Sequence, residues 1–421
     1  MKKIIFILTL LLTLTACSSE RDLEIVSTNL MEDVKESSIS PVNIEDQENG
    51  GLDKTVGITD FSFDILKKAY KGENTLISPL SIISALSMTA NGAENETLSQ
   101  MEEVFAADRD SLNEYLYSYK SYLPSGDKYK VSLANSIWFK DEDGLTIEED
   151  FLQTNKDFYD GDAYKAPFDE STKDDINIWV NEKTDGMIEE LLEEKPPEDA
   201  IMYLINALSF DAEWEDIYSE HDIRKAEFTT KNDEIKTVDF MHSEEYGYIE
   251  IAKAIGFSKA YADNKYSFVA LLPDEGVEIS DFISSINGKT IIDAIKNQSD
   301  EEVVTSMPKF EFEYSNELSK ILQELGMIDA FDPMTADFSS LGHSSKGNIL
   351  IDRVLHKTKI QVDEKGTKAG AVTAVEMVAE SADIIDPKTV NLDRPFFFAI
   401  VDNEFSMPIF MGVLEDPTEQ N

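Results

Sequence analysis

Cysteine occurs once in the 421 residues, at Cys17, so no disulfide can form within the chain and any fold must be held by its packed core. Basic residues are scarce as well: 37 Lys and Arg stand against 84 Asp and Glu, a formal net charge of −47 at pH 7. An excess of that size repels phosphate backbones and weighs against nucleic acid as a partner. Histidine is limited to His221, His242, His343 and His356, which lie in unrelated contexts. No GxSxG, HExxH or Walker loop is present, so enzyme chemistry finds no support, and neither a metal site nor a cofactor is expected. The apolar run from Ile4 to Leu14 is too short to cross a bilayer as a helix.

That run follows a basic Met1-Lys2-Lys3 and leaves through small residues, the pattern of a secretory signal. Leu14-Thr15-Ala16-Cys17 is similar to a bacterial lipobox, which implies cleavage before Cys17 and a diacylglyceryl group on its thiol. A plain cleavable signal with an incidental cysteine is the alternative. From Ser18 to about Gly57 the chain is acidic, contains serine and glycine and is poor in aromatics, so it reads as a flexible tether. The resulting division is a signal over 1–16, a lipidated cysteine and tether over 17–57 and one folded domain over 58–421. The protein is expected outside the cytoplasm, anchored to the cell membrane or an outer membrane.

Apolar residues make up 42% of the chain, enough for a large core. Phe61, Ile65 and Ala69 recur at helical spacing behind Thr59 or Asp60 as a cap, and a second helix is expected after Ser78-Pro79 with Ile82, Ile83, Leu86 and Ala90 buried. Later the period changes to two. Phe310, Phe312 and Tyr314 alternate with Glu311 and Glu313, and Val354, His356, Thr358, Ile360 and Val362 alternate with Leu355, Lys357, Lys359 and Gln361. Tyr266–Leu272 is a more continuous apolar run ending at Pro273-Asp274. Helices early and antiparallel strands late indicate a mixed α+β domain rather than a doubly wound sheet.

The stretch Glu364-Lys365-Gly366-Thr367-Lys368-Ala369-Gly370-Ala371-Val372-Thr373-Ala374-Val375 contains no proline and is built from small and β-branched residues. As a strand it would present Thr367, Ala369, Ala371, Thr373 and Val375 on one small, buriable face, with the charges opposite. As a loop it would be unremarkable, because glycine and alanine are depleted in ordinary strands. Flanking sequence favours the strand. Arg394-Pro395-Phe396-Phe397-Phe398 and Met407-Pro408-Ile409-Phe410-Met411-Gly412-Val413 follow it. Upstream, in order, stand Asn74-Thr75-Leu76-Ile77-Ser78-Pro79-Leu80-Ser81, Leu204-Ile205-Asn206-Ala207, Phe210 with Trp214, Leu271-Leu272-Pro273-Asp274, Met307-Pro308-Lys309-Phe310 and Leu355-His356-Lys357.

Together these blocks resemble the serpin family over roughly residues 58 to 417. The resemblance implies three β-sheets, about eight or nine helices and an exposed reactive-centre loop at about 364–390. It implies a hinge at Glu364, Gly366, Thr367, Ala369 and Ala371, with a gap in the central sheet to receive it. It also implies a sheet-opening cluster of Ser78, Ser81, Asn206 and His356 beneath that gap, and a breach at Trp214 and Pro408 where insertion begins. Taken alone, a serine after an apolar run only caps a helix, a lone histidine on a strand is a hydrogen-bonded core residue, and a tryptophan is core. Gly370 replaces the usual alanine and Lys368 the usual acidic residue, both on the outward face.

Counting from Glu364 as the family does places the reactive bond at Glu380-Ser381. The implied activity is suicide inhibition of a serine protease by loop cleavage, acyl-enzyme trapping and strand insertion. Glu380 points to a glutamate-preferring protease, and Ala379, Ala382, Met377 or Val378 to elastase-, subtilisin- or chymotrypsin-like enzymes if the register shifts. A non-inhibitory surface binding protein and an inhibitor of cysteine proteases are the alternatives. Heparin is not expected as a cofactor, since residues 98–122 carry Glu102, Glu103, Asp108, Asp110 and Glu114, and a monomer is expected.

Overall fold

The structure, a computed structural model, describes residues 24–44, 51–123, 125–367 and 388–420. Along the chain come β1 (Thr28–Asn29), α1 (Gly51–Ala69), β2 (Thr75–Ile77), α2 (Pro79–Ala90), α3 (Asn95–Phe105) and α4 (Arg109–Tyr122). Next are β3 (Tyr129–Lys140), β4 (Leu145–Ile147), α5 (Glu149–Tyr159), β5 (Asp162–Ala166), α6 (Glu170–Lys183) and β6 (Met202–Glu213). A strand-rich stretch follows with β7 (Ile223–Thr229), β8 (Ile235–Ile251), β9 (Ala254–Ala260) and β10 (Tyr266–Pro273), then α7 (Ile279–Ser285) and α8 (Gly288–Lys296). Then come β11 (Ser299–Pro308), β12 (Phe310–Glu317), α9 (Ser319–Leu325), β13 (Gly342–Ser344), β14 (Arg353–Val362) and β15 (Gly366–Thr367). The chain ends with β16 (Lys388–Asn391), β17 (Phe396–Asp402) and β18 (Met407–Leu414).

The described residues form three sheets of seven, nine and two strands, a mixed α+β arrangement as expected. The seven-stranded sheet runs β1-β5-β3-β6-β15-β14-β12, and the nine-stranded sheet has the path β16-β11-β8-β9-β10-β17-β18-β2. Period-two sequence becomes one-sided burial: Val354, His356, Thr358, Ile360 and Val362 are buried while Lys357, Lys359 and Gln361 are half-buried. Tyr266–Pro273 is buried on both faces, which is why it reads as a continuous apolar run. Helix α2 is buried all round; Ser78 caps it by accepting from the Ser81 N–H, and Pro79 opens it. A second core, including Trp138, Tyr164, Trp179, Tyr203 and Leu355, lies between α6 and the seven-stranded sheet.

Two expectations at the N-terminal side are corrected. Helix α1 begins at Gly51, not after Thr59; Thr59 sits inside it and returns its hydroxyl to the Thr55 carbonyl, while Asp60 accepts from the Gly288 N–H. The expected tether is not free over residues 24–44. Thr28 and Asn29 pair with Lys165 and Tyr164, and Asp175, 2% exposed, accepts from the Val26 and Ser27 N–H groups and from the Ser27 hydroxyl. Met31 and Ile44 are buried, and Tyr117 and Ser118 hold the Ile39 carbonyl and the Val42 N–H. Composition described the segment alone; groups on the folded body supply the hydrogen bonds and apolar area that offset its ordering.

Candidate functional site

β6 and β14 are central strands of the seven-stranded sheet, yet they pair directly only where Tyr203–Asn206 run parallel to Arg353–His356. At the far end β15 lies between them, with Gly366 opposite Glu213, and Thr367 opposite both Ala212 and Val362. Between those closures, residues 207–211 and 357–361 face each other with no strand between them among the described residues. Among the described residues the sheet is thus open in the middle, joined directly at one end and entered by β15 at the other.

The entered end is held by side chains from both sheets. The Trp214 and Tyr218 N–H groups donate to the Lys365 and Glu364 carbonyls, and Trp214 Nε1 donates to the Asp363 carbonyl at 2.8 Å. Trp214 stacks on Tyr261 at 4.3 Å, and the Tyr261 hydroxyl meets Thr367 Oγ1 at 2.6 Å in a buried contact. Lys309 Nζ sits 2.6 Å from Glu364 Oε2, and this hydrogen bond holds the Glu364 carboxyl below its ordinary range. Gly366 is required by close approach: a Cβ there would meet the Ala212 carbonyl oxygen at 2.0 Å. Behind Trp214, buried Lys259 bonds Glu245 at 2.7 Å and lies over the Tyr218 ring at 4.5 Å. Burial alone would depress that ammonium, but Tyr218 and Glu245 outweigh it and raise it.

The joined end is a small polar network in an apolar surround. Asn206 Oδ1 accepts from Ser81 Oγ at 2.9 Å and from His356 Nδ1 at 2.7 Å, and Asn206 Nδ2 donates to the Leu355 carbonyl at 3.4 Å. His356 Nε2 accepts from the Ser78 N–H at 3.2 Å. Because Nε2 must accept, the proton of the neutral ring belongs on Nδ1. Burial depresses the His356 imidazole to about 3, so it is neutral at physiological pH. Since Asn206 is on β6 and Leu355 and His356 on β14, these bonds tie the two strands across their joint.

The structure therefore brings Ser78, Ser81, Asn206 and His356 together, and gathers Glu364, Gly366 and Thr367 around Trp214. Pro408 is not a neighbour in that group: it pairs with Val401 on β17, and β10 and β17 separate its strand from β9. Ala369, Ala371, Glu380, Ser381 and Cys17 lie outside the described residues. Lys309, Tyr218, Tyr261 and Lys259 had no assigned role from sequence. Lys309 stood in a recognised block and carried a signal; the two tyrosines and Lys259 carried none, being ordinary residues of ordinary strands and turns. Among the described residues no group of three or more His, Cys, Asp or Glu is placed to hold a metal ion.

A family model described as Serpin (serine protease inhibitor) matches residues 56–417, and one described as a prokaryotic membrane lipoprotein lipid attachment site matches residues 1–18. The chain is 31% identical over 396 residues to an uncharacterized serpin-like protein of Thermococcus kodakarensis, covering 91% of this chain and 90% of that one. Serpin B8 of Homo sapiens is 30% identical over 370 residues, covering 84% and 96%. Among solved structures, the thermophilic serpin tengpin in its native state matches with TM-score 0.87 and 47% identity over 93% of this chain and 99% of that one. In its latent state tengpin matches with TM-score 0.76 and 46% identity over 91% and 100%.

Proposed function

The chain belongs to the serpin family, and from that premise we propose that it is a membrane-anchored suicide inhibitor of serine proteases, with Glu380-Ser381 as its reactive bond. The observation that carries this reading is Thr367, 2% exposed, already seated between Ala212 and Val362 at the mouth of the gap that the described residues leave between β6 and β14. If the following residues keep that register with both neighbours, Ala369 comes opposite Phe210 and Ile360, and Ala371 opposite Leu208 and Thr358. Phe210, Leu208, Thr358 and Ile360 are all buried, and the small side chains of the hinge suit a face already filled by large ones. Thr373 then falls between Asn206 and His356. Insertion beyond that point requires the latch to open, which gives Ser78, Ser81, Asn206 and His356 their role.

In this mechanism a serine protease attacks the Glu380 carbonyl and forms an acyl-enzyme on its own nucleophile, releasing a peptide that begins at Ser381. Cleavage frees the segment after Lys365 to enter the sheet, the strand addition known for serpins generally, with the protease attached. About ten new backbone hydrogen bonds at ~1 kcal/mol each supply on the order of 10 kcal/mol. Burial of the small inward side chains adds several more at ~25 cal/mol per Å². That exceeds what holds a catalytic site in register, so the acyl bond persists. The lipid attachment site supports anchoring through Cys17.

The test is incubation of the chain with glutamate-specific, elastase-, chymotrypsin-, trypsin- and subtilisin-like proteases, read by denaturing gel and by mass spectrometry of the released peptide. The expected result is a denaturant-stable adduct and a peptide starting at Ser381. Clean cleavage without adduct across the panel overturns the inhibitor reading, and an adduct with another peptide moves the reactive bond.

A further inference from the structure

We infer that the docked N-terminal segment fixes the orientation of the domain on its membrane, turning the β1 pole toward the bilayer and the reactive-loop pole away. The inference rests on the proposed lipid at Cys17, together with sheet registers and chain length.

Strand β1 enters the sheet at one extreme. Thr28 pairs with Lys165, Lys165 lies opposite Phe139, and Phe139 lies opposite Met202, the first residue of β6. The hinge is at the other extreme of the same strand, where Thr367 faces Ala212. Ten residues of strand at about 3.3 Å each put the two levels roughly 33 Å apart. The C-terminal side of the loop leaves from the hinge pole too. Lys388 pairs with Val303, Val303 with Glu245, and Glu245 bonds the lysine that lies over Trp214 and Tyr218.

Between Cys17 and Glu24, the first described residue, lie seven peptide units, which span at most about 25 Å in any conformation. An inverted domain, with the loop pole against the bilayer, needs a leash of roughly 33 Å or more to reach back from the β1 pole. The leash cannot supply it while the segment stays docked. Docking is specific: Asp175 takes three hydrogen bonds from Val26 and Ser27, the Leu30 N–H donates to the Ala163 carbonyl at 2.8 Å, and Ile25 packs on the core beneath α6. Undocked, the segment would free at least twenty further residues and the constraint would vanish. The surface set toward the bilayer contains the 195–200 turn and the starts of β6 and β14, where Glu198 pairs with Lys195 and Lys140 bonds the Glu198 carbonyl, so it carries charges of both signs.

The test uses the full lipidated chain in vesicles of phosphatidylcholine and phosphatidylglycerol containing a fluorescent acceptor lipid. Cys17 being blocked by lipid, a single added cysteine carries the donor: Glu198→Cys at the β1 pole or Lys265→Cys at the hinge pole. Energy transfer is expected to be about twofold or more higher from position 198, given levels roughly 33 Å apart. Inserting about twenty Gly and Ser residues after Leu23 lengthens the leash without touching the fold and should abolish that difference, as should Asp175→Ala. Equal transfer from both positions with vesicles carrying the protein overturns the orientation alone. Failure of the wild-type chain to float with vesicles overturns the lipid reading, and the orientation with it.

Discussion

His356 shows how one buried residue makes the stability of the fold depend on pH. Its imidazole is depressed from 6.5 to about 3, so the unfolded chain binds a proton over that interval that the folded chain does not. Its contribution to stability is therefore complete above about pH 6.5 and is lost as pH falls toward 3, at ~1.4 kcal/mol per unit. Asp402, raised to about 6 by burial, works in the opposite direction over an overlapping interval. The measurement is accordingly a difference: urea midpoints of wild type and His356→Gln at pH 7 and pH 5, with the wild type expected to lose more. Gly366 and Thr367 act at the same scale. Gly366→Ala drives a methyl group against the Ala212 carbonyl, and Thr367→Arg puts a charge where Tyr261 closes over a buried hydroxyl. Both are expected to slow insertion and raise the number of inhibitor molecules consumed per protease several-fold. An unchanged stoichiometry for Thr367→Arg would rule out insertion through this register.

Elements behave as the units that their side-chain bonds define. β12 and β14 are tied by Lys359 to Glu311 and Glu313, by Lys357 to Glu313 and by Arg353 to Glu317, so the pair is coupled more firmly than β14 is to β6. In the proposed mechanism the β6–β14 joint is therefore where the sheet would separate. At the opposite edge, β1 has only two residues and stays in place through Asp175. Asp175→Ala removes the acceptor of three donors and is expected to cost about 2 kcal/mol, read as a lower urea midpoint with little change in slope. The period-two strands and the Ser78-Pro79 helix start were legible in the sequence because burial on one face writes itself into alternation and because capping is local. Helix α1 was legible only in its second half. Its first turns hold no strong apolar stripe, and a partner the sequence does not reveal meets them, the Tyr115 hydroxyl of α4 lying 2.6 Å from Thr55 Oγ1 in a buried contact.

At the scale of the whole molecule, charge and geometry work together. A net charge of −47 favours encounter with cationic proteases, so the association rate with a basic enzyme should fall steeply between low and physiological salt, while an acidic enzyme of the same specificity shows little change or the reverse. Strand insertion would carry an attached protease from the hinge pole toward the β1 pole, which the leash holds near the bilayer. A donor-labelled protease should therefore transfer more energy to acceptor lipids after covalent trapping than during the first encounter. A drop in transfer would contradict the direction of travel.

The sequence by itself determined the fold class and the lipid attachment motif, and it singled out, through family resemblance rather than periodicity, Ser78, Ser81, Asn206 and His356, which the fold brings together. These are properties of local pattern: side-chain size in alternation, a cap beside a proline, a short motif at a chain end. Only the tertiary structure decided that Lys309, Tyr218 and Tyr261 hold the hinge, that Pro408 stands apart from it, and that residues 24–44 lie on the body. Each of those depends on groups far apart in sequence, some of them more than a hundred residues from the partner they meet. A hydrogen bond such as that from Ser27 to Asp175 leaves no trace in the composition of either segment, because its donor and acceptor are ordinary until the fold places them together.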